Sequence, residues 1–125
     1  MQIEECWYTD IQFTIGPLKL RLLDVGGMRP ERKKWPHVLD GVSMVLFVIN
    51  LADYDQKCQE DNKTNRMKES LKVFEEICSN ENIPVILLFF NKEDIFLEKI
   101  KKVDLKCCFE DYTGRKLYTF FDNGL

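Results

Sequence analysis

Two apolar runs do most to limit what this chain can fold into. VSMVLFVINL, Val42–Leu51, and PVILLFF, Pro84–Phe90, are nearly continuous in apolar side chains. Runs of this length and β-branched character read as strands buried on both faces, because a half-solvated strand would alternate. Between them, Met67, Leu71, Phe74 and Cys78 fall at i, i+4, i+7 and i+11. Lys68, Lys72, Glu75 and Glu76 take the opposite side. That spacing predicts an amphipathic helix. Strand, helix, strand at this separation is a βαβ unit, which implies parallel pairing through a right-handed crossover. The fold class expected is α/β, with a doubly wound sheet.

A second pattern precedes this unit. Ile11, Phe13 and Ile15 alternate with polar residues, Gly16-Pro17 breaks the run, and Leu18, Leu20 and Leu22 alternate with Lys19 and Arg21. Period 2 on both sides of a turn dipeptide predicts a hairpin. Asp104–Leu125 shows no clear amphipathic period. In open α/β sheets ligands bind beyond the carboxyl ends of the strands. Two polar clusters follow strand ends here: Asp24-Val25-Gly26-Gly27 after Leu18–Leu23, and Asn91-Lys92-Glu93-Asp94 after Pro84–Phe90. Both are expected on one rim.

Composition excludes several functions. A net charge of −3 across 125 residues argues against nucleic acid as a main partner, since phosphate binding needs a basic field. No apolar run reaches the roughly 18 residues of a membrane span. One histidine, His37, rules out metal sites built on paired histidines. Cys6, Cys58, Cys78, Cys107 and Cys108 are odd in number and lack a CxxC spacing, so reduced thiols are expected. The first ten residues, MQIEECWYTD, lack the basic start and apolar centre of a signal peptide.

The two clusters carry the chemistry. A carboxylate at a strand tip can hold Mg²⁺, directly or through water, and a following glycine can bring a backbone N–H close to a phosphate oxygen. The same four residues also suit a tight turn, with Asp24 capping the next helix. In NKED, an asparagine and an aspartate three residues apart can read a planar base edge. The carboxylate accepts the paired N–H groups that guanine offers, and the lysine stem can cover a ring face. The plainer alternative is a polar strand-to-helix loop with Asp94 near a helix start. Asp53-Tyr54-Asp55 reads as a loop after a strand, the lysines 99, 101 and 102 as a solvated face, and Cys107-Cys108 as ordinary thiols.

DVGG followed by RPERKKW, then SMVLFVINLADYDQ, NRMKESLKVFEEIC and FFNKEDIFLEKI, resembles a heterotrimeric G-protein α subunit from about Asp10 to Gly114. The resemblance implies a P-loop (Ras-like) GTPase fold, a three-layer α/β/α sandwich, and a GTP-binding signalling switch. It implies that Asp24 binds Mg²⁺ through water and that the Gly27 N–H meets the γ-phosphate. Val25, Gly26 and Met28 would complete that nucleotide segment, while Asn91, Lys92, Glu93 and Asp94 would form the guanine-recognition segment. Arg29, Arg32, Lys33, Lys34 and Trp35 would lie on the switch II surface that meets the βγ dimer or an effector. The cofactors implied are GTP or GDP with Mg²⁺. The location implied is cytoplasmic, at the inner face of the plasma membrane through partners such as the receptor and βγ.

The chain also departs from the family pattern. Met28 stands where the family has the glutamine that orients the attacking water, and a thioether only weakly accepts a hydrogen bond. Pro36 is expected to hold Trp35 extended and end the helix at about Lys34. No G-x-x-x-x-G-K-[ST] occurs in the 125 residues. The switch I arginine and threonine, the inserted helical domain, the last guanine loop and the C-terminal strand and helix are not recognisable either. The expectation is therefore a single partial domain over residues 1–125 that derives from a GTPase but does not hydrolyse GTP. A non-catalytic interaction module is the alternative. Without the central phosphate-loop strand, strand edges are left unpaired, so weak autonomous stability is expected.

Overall fold

The alternation on either side of Gly16-Pro17 forms the expected antiparallel hairpin. Strand β1 (Tyr8–Ile15) pairs with β2 (Leu18–Val25) in the register Ile11↔Leu22, Phe13↔Leu20, Ile15↔Leu18. Gly16 has a φ of 57°, and proline fixes the next φ near its usual negative value. This sign pattern belongs to the II′ turn, whose twist matches that of the strands. The register puts Ile11, Phe13, Ile15, Leu18, Leu20 and Leu22 on one face, and every one is exposed, by 39 to 61%. Arg21 grips the Asp10 carboxylate with its Nη2 at 2.8 Å and its Nε at 3.1 Å. That hydrogen bond holds the Asp10 pKa below its ordinary value.

The structure, a computed structural model, describes residues 8–114. The described residues divide into two units, 8–45 with 81–85 and 46–80 with 86–114. After the hairpin the first unit holds two short helices, α1 (Arg29–Arg32) and α2 (Pro36–Leu39). The second holds most of β3 (Val45–Asn50), a 3₁₀ turn at Leu51–Asp53, helix α3 (Arg66–Cys78), β4 (Ile86–Asn91), α4 (Glu93–Lys99) and a 3₁₀ turn at Leu105–Cys107. β3 and β4 are hydrogen-bonded neighbours with α3 in their connection. Ile49, Tyr54, Met67, Leu105 and Cys108 form the buried cluster of this unit, flanked by Phe47, Leu51, Phe96, Ile100, Val103 and Tyr112.

Several expectations are corrected. Among the described residues the strands make two separate two-stranded sheets, not one doubly wound sheet. Apolar patterning marks a strand and its faces but does not name its neighbour. β3 and β4 are not buried on both faces: Leu46, Val48, Phe89 and Phe90 are exposed. The helical stripe of α3 is also rotated from the one expected. Met67, Val73 and Ile77 are buried, whereas Leu71 and Cys78 are exposed. Phe74 stays on the inner side, its ring centroid 5.2 Å from that of Phe47. Trp35 is helical, with φ −55° and ψ −38°, so Pro36 does not force it to be extended. Instead Pro36 takes the first position of α2, where a missing N–H costs nothing. Cys6 and residues 115–125 lie outside the described residues.

Candidate functional site

Asp24 is the penultimate residue of β2 and is exposed. It does not cap the next helix, because Met28 holds the N-cap position of α1. The cap is made in reverse. Glu31 in the first turn of α1 reaches back, and its Oε2 accepts the Met28 N–H at 3.0 Å. This is the return half of a capping box. The carboxylate lies so close to Gly26 that a Cβ there would stand 2.3 Å from Glu31 Cδ. Gly26 is thus explained by packing within the chain. Gly27 is not: a Cβ built on it meets nothing within 4 Å, and its φ is not in the left-handed region. Trp35 closes the segment from the other side, its indole N–H donating to the Gly26 carbonyl at 2.9 Å. Lys33 and Lys34 are exposed, while Arg29, Arg32 and Trp35 are partly covered. Met28, at the glutamine position, is 49% exposed.

The second cluster is a strand-to-helix joint. Asn91 ends β4, and its Oδ1 accepts the Lys92 N–H at 2.9 Å. Lys92 caps α4 in the left-handed region, with φ 60° and ψ 41°. That conformation costs a β-carbon-bearing residue roughly 1–2 kcal/mol. Glu93 and Asp94 open the helix, where carboxylates complement the helix dipole. Asn91, Lys92, Glu93 and Asp94 are all exposed.

Behind this joint the residues expected as a plain loop, Asp53-Tyr54-Asp55, and Lys99 of the expected solvated face form a network. Asp53 and Tyr54 are buried, and Tyr54 is wholly inaccessible. The Tyr54 hydroxyl donates to the Val103 carbonyl at 2.7 Å, and its ring meets Phe96 of α4 edge-on at 5.6 Å. Lys99 at the end of α4 donates to the Ala52 carbonyl at 2.7 Å and pairs with Asp55. Lys99 is therefore not part of a solvated face. Asp53 takes Arg66 at 3.0 Å and the Asn50 amide at 2.8 Å. Asn65 caps α3 with its side-chain oxygen, which accepts the Met67 N–H at 2.9 Å, and its amide donates to the Tyr54 carbonyl at 2.6 Å. The signal for Lys99 was present: Phe96, Lys99, Ile100 and Val103 share one helical side. Cys108 is fully buried, and burial raises its pKa.

The two clusters fall in different units of the chain, Asp24–Met28 in the first and Asn91–Asp94 in the second. Comparison with known proteins ties them to one family. The family described as G-protein alpha subunit matches residues 2–120. The chain belongs to the G-protein alpha subunit family. Among curated relatives of this family, the chain is similar to the guanine nucleotide-binding protein G(o) subunit alpha of Lymnaea stagnalis, 47% identical over 87% of the chain and 31% of the relative. The G(o) subunit alpha of Caenorhabditis elegans is 48% identical over the same shares. The alpha-7 subunit of Caenorhabditis elegans is 44% identical over 94% of the chain and 34% of the relative. The chain thus spans about a third of the length of these alpha subunits. Among the described residues, no group of three or more His, Cys, Asp or Glu side chains stands together to hold a metal ion, and no helix is long and apolar enough to cross a membrane.

Proposed function

We propose that this alpha subunit chain binds guanine nucleotide weakly through its strand-to-helix joint and does not hydrolyse it. The left-handed Lys92 is the observation that carries this reading. Strained backbone persists where the surroundings over-determine it, and such positions cluster at ligand sites. The bend leaves Asn91 tied to its own backbone and Asp94 exposed in the first helical turn. In the proposed pose the Asp94 carboxylate accepts the guanine N1–H and N2 amine, Asn91 meets the opposite edge, and the Lys92 stem covers the ring, with Glu93 beside it. GTP or GDP is the ligand class.

Taken by itself, within the first unit, the Asp24–Met28 segment is proposed as a turn that a phosphate can approach. Support comes from Gly27, whose missing Cβ nothing in the chain requires, as a close phosphate approach would. Gly26 differs, being packed against Glu31, and Val25 places the turn at the strand end. Asp24 offers Mg²⁺ one hard oxygen. Asp24 belongs to no group of three or more His, Cys, Asp or Glu among the described residues, so it fits an ion held mainly by phosphate and water. Met28 offers no group to orient a water, so hydrolysis is not expected.

Saturation-transfer NMR on the 125-residue chain with millimolar GDP tests this. Transfer to the guanine H8 is expected, stronger than to ADP and lost in Asp94→Ala. Equal transfer to both nucleotides, or none, sinks the reading, and submicromolar affinity for a fluorescent GDP analogue overturns its weakness.

A second reading, a non-catalytic module for βγ or an effector, is favoured by the segment from Arg29 to Trp35. There Lys33 and Lys34 are exposed beside an indole fixed by the Gly26 carbonyl. Such a cationic edge around an aromatic anchor suits a protein interface. Retention of βγ from lysate, weakened by Trp35→Ala, is expected. Its absence removes this reading. Either role would place the chain in the cytoplasm, at the inner membrane face through its partners.

A further inference from the structure

Helix α4 carries the proposed base-reading residues at its first turn, yet the strand that delivers them, paired with β3, leaves most of its apolar side chains exposed. Leu87, Leu88, Phe89 and Phe90 of β4 are exposed by 36 to 61%. What holds α4 is its other end. Lys99 sits between the Ala52 carbonyl and the Asp55 carboxylate, with both partners of the ion pair about four-fifths covered. Its ammonium is 5.7 Å from the Tyr54 ring centroid. Phe96, one turn earlier, abuts the same ring, and the Tyr54 hydroxyl takes the Val103 carbonyl just past the helix. Three contacts of different chemistry thus converge on one buried tyrosine. They fix the helix along its length, about its axis and beyond its end.

We propose that Lys99, through Asp55 and the Tyr54 ring, is a positioning residue for guanine recognition, setting where α4 presents Asn91, Lys92 and Asp94. The inference rests on the guanine reading of that joint. Lys99 lies about 7.5 Å along the helix from Asp94, and in the proposed pose it touches no nucleotide. It acts through the rigid seven-residue rod between them. A planar base edge needs its carboxylate in the ring plane, and a tilt of α4 moves Asp94 out of it. A displacement near 1 Å is enough to cost a site up to about a hundredfold.

The test measures GDP against ADP by saturation-transfer NMR in the full chain, for the parent and for Lys99→Met, Asp55→Asn, Lys99→Arg and Asp94→Ala. The preference for GDP is expected to fall about tenfold in Lys99→Met and Asp55→Asn. Lys99→Arg, which keeps the donor and the charge, should retain most of it. Amide exchange at Phe96 and Ile100 checks that α4 remains formed. A merely structural role would lower binding of both nucleotides alike and leave their ratio unchanged. If Asp94→Ala abolishes the preference while Lys99→Met and Asp55→Asn keep it, the positioning role is wrong and the guanine reading stands. If the parent shows no preference, both fall. Should Lys99→Met not fold, Asp55→Asn alone decides.

Discussion

At the scale of single residues, the two adjacent glycines do different work. A methyl group at Gly26 would meet the Glu31 carboxyl at 2.3 Å. That group is the far end of a flexible side chain, so Gly26→Ala is expected to push it away and break its bond to the Met28 N–H. The cost is that of a lost cap, about 1 kcal/mol. Amide exchange at Met28 should quicken by about fivefold. Glu31→Ala should do the same, and the double variant should be no worse than either, because both remove one interaction. Additive effects would show that Glu31 is not what Gly26 accommodates. Gly27→Ala behaves otherwise. Open space around it predicts folding that is neutral or up to about 1 kcal/mol more favourable. If the phosphate reading holds, it weakens binding of a non-hydrolysable GTP analogue, which carries the γ-phosphate that GDP lacks.

At the scale of elements, the segment from Asn50 to Asp55 is the tie between β3, α3 and α4. Tyr54→Phe removes a hydroxyl from the Val103 carbonyl and leaves that acceptor unpaired, a loss of about 1–3 kcal/mol. Faster exchange across α4 and the turn at Leu105–Cys107, with α3 changed less, is the expected pattern. The same element sets an alkaline limit. Burial raises the pKa of Tyr54 above its ordinary 10.0, and burial likewise raises Cys107 and Cys108 above 9.0. In the unfolded chain these groups lose their protons first, so above about pH 9 the unfolded state binds fewer protons than the folded one. Stability from these groups is whole below that pH and declines through and beyond pH 10. Near-UV circular dichroism against pH should follow this decline, and Tyr54→Phe with Cys108→Ala should flatten it.

At the scale of the whole molecule, burial is thin. Among the described residues the largest fully buried side chains are Tyr54, Ile49 and Cys108, and all belong to the second unit. The hairpin shows its six-residue apolar face, and among the described residues each sheet has two strands, which is marginal in water. Weak thermal unfolding and strong binding of an apolar dye such as ANS are expected for the 125-residue chain. Phe13→Glu with Leu20→Lys, a cross-strand pair, should lower the dye signal without abolishing the strands. A cooperative transition above 60 °C, about the range of stable mesophilic domains, would refute this.

Much of this protein was determined by its sequence. Period 2 around Gly16-Pro17 specified the hairpin. The polar residues after two apolar runs located both candidate clusters, and the run of family motifs from DVGG to NKED identified the family. These features are local or nearly so, and local chemistry is what a sequence displays. Tertiary structure alone decided that each sheet among the described residues stops at two strands, which stripe of α3 turns inward, and that Tyr54 and Lys99 join a core from opposite ends of a 45-residue separation. It also turned Glu31 back on Gly26, giving one glycine an internal reason and leaving the other without one. Such outcomes depend on which surfaces meet across long stretches of chain. The pattern of apolar and polar residues constrains those meetings only through the area they can bury, and here that area is small.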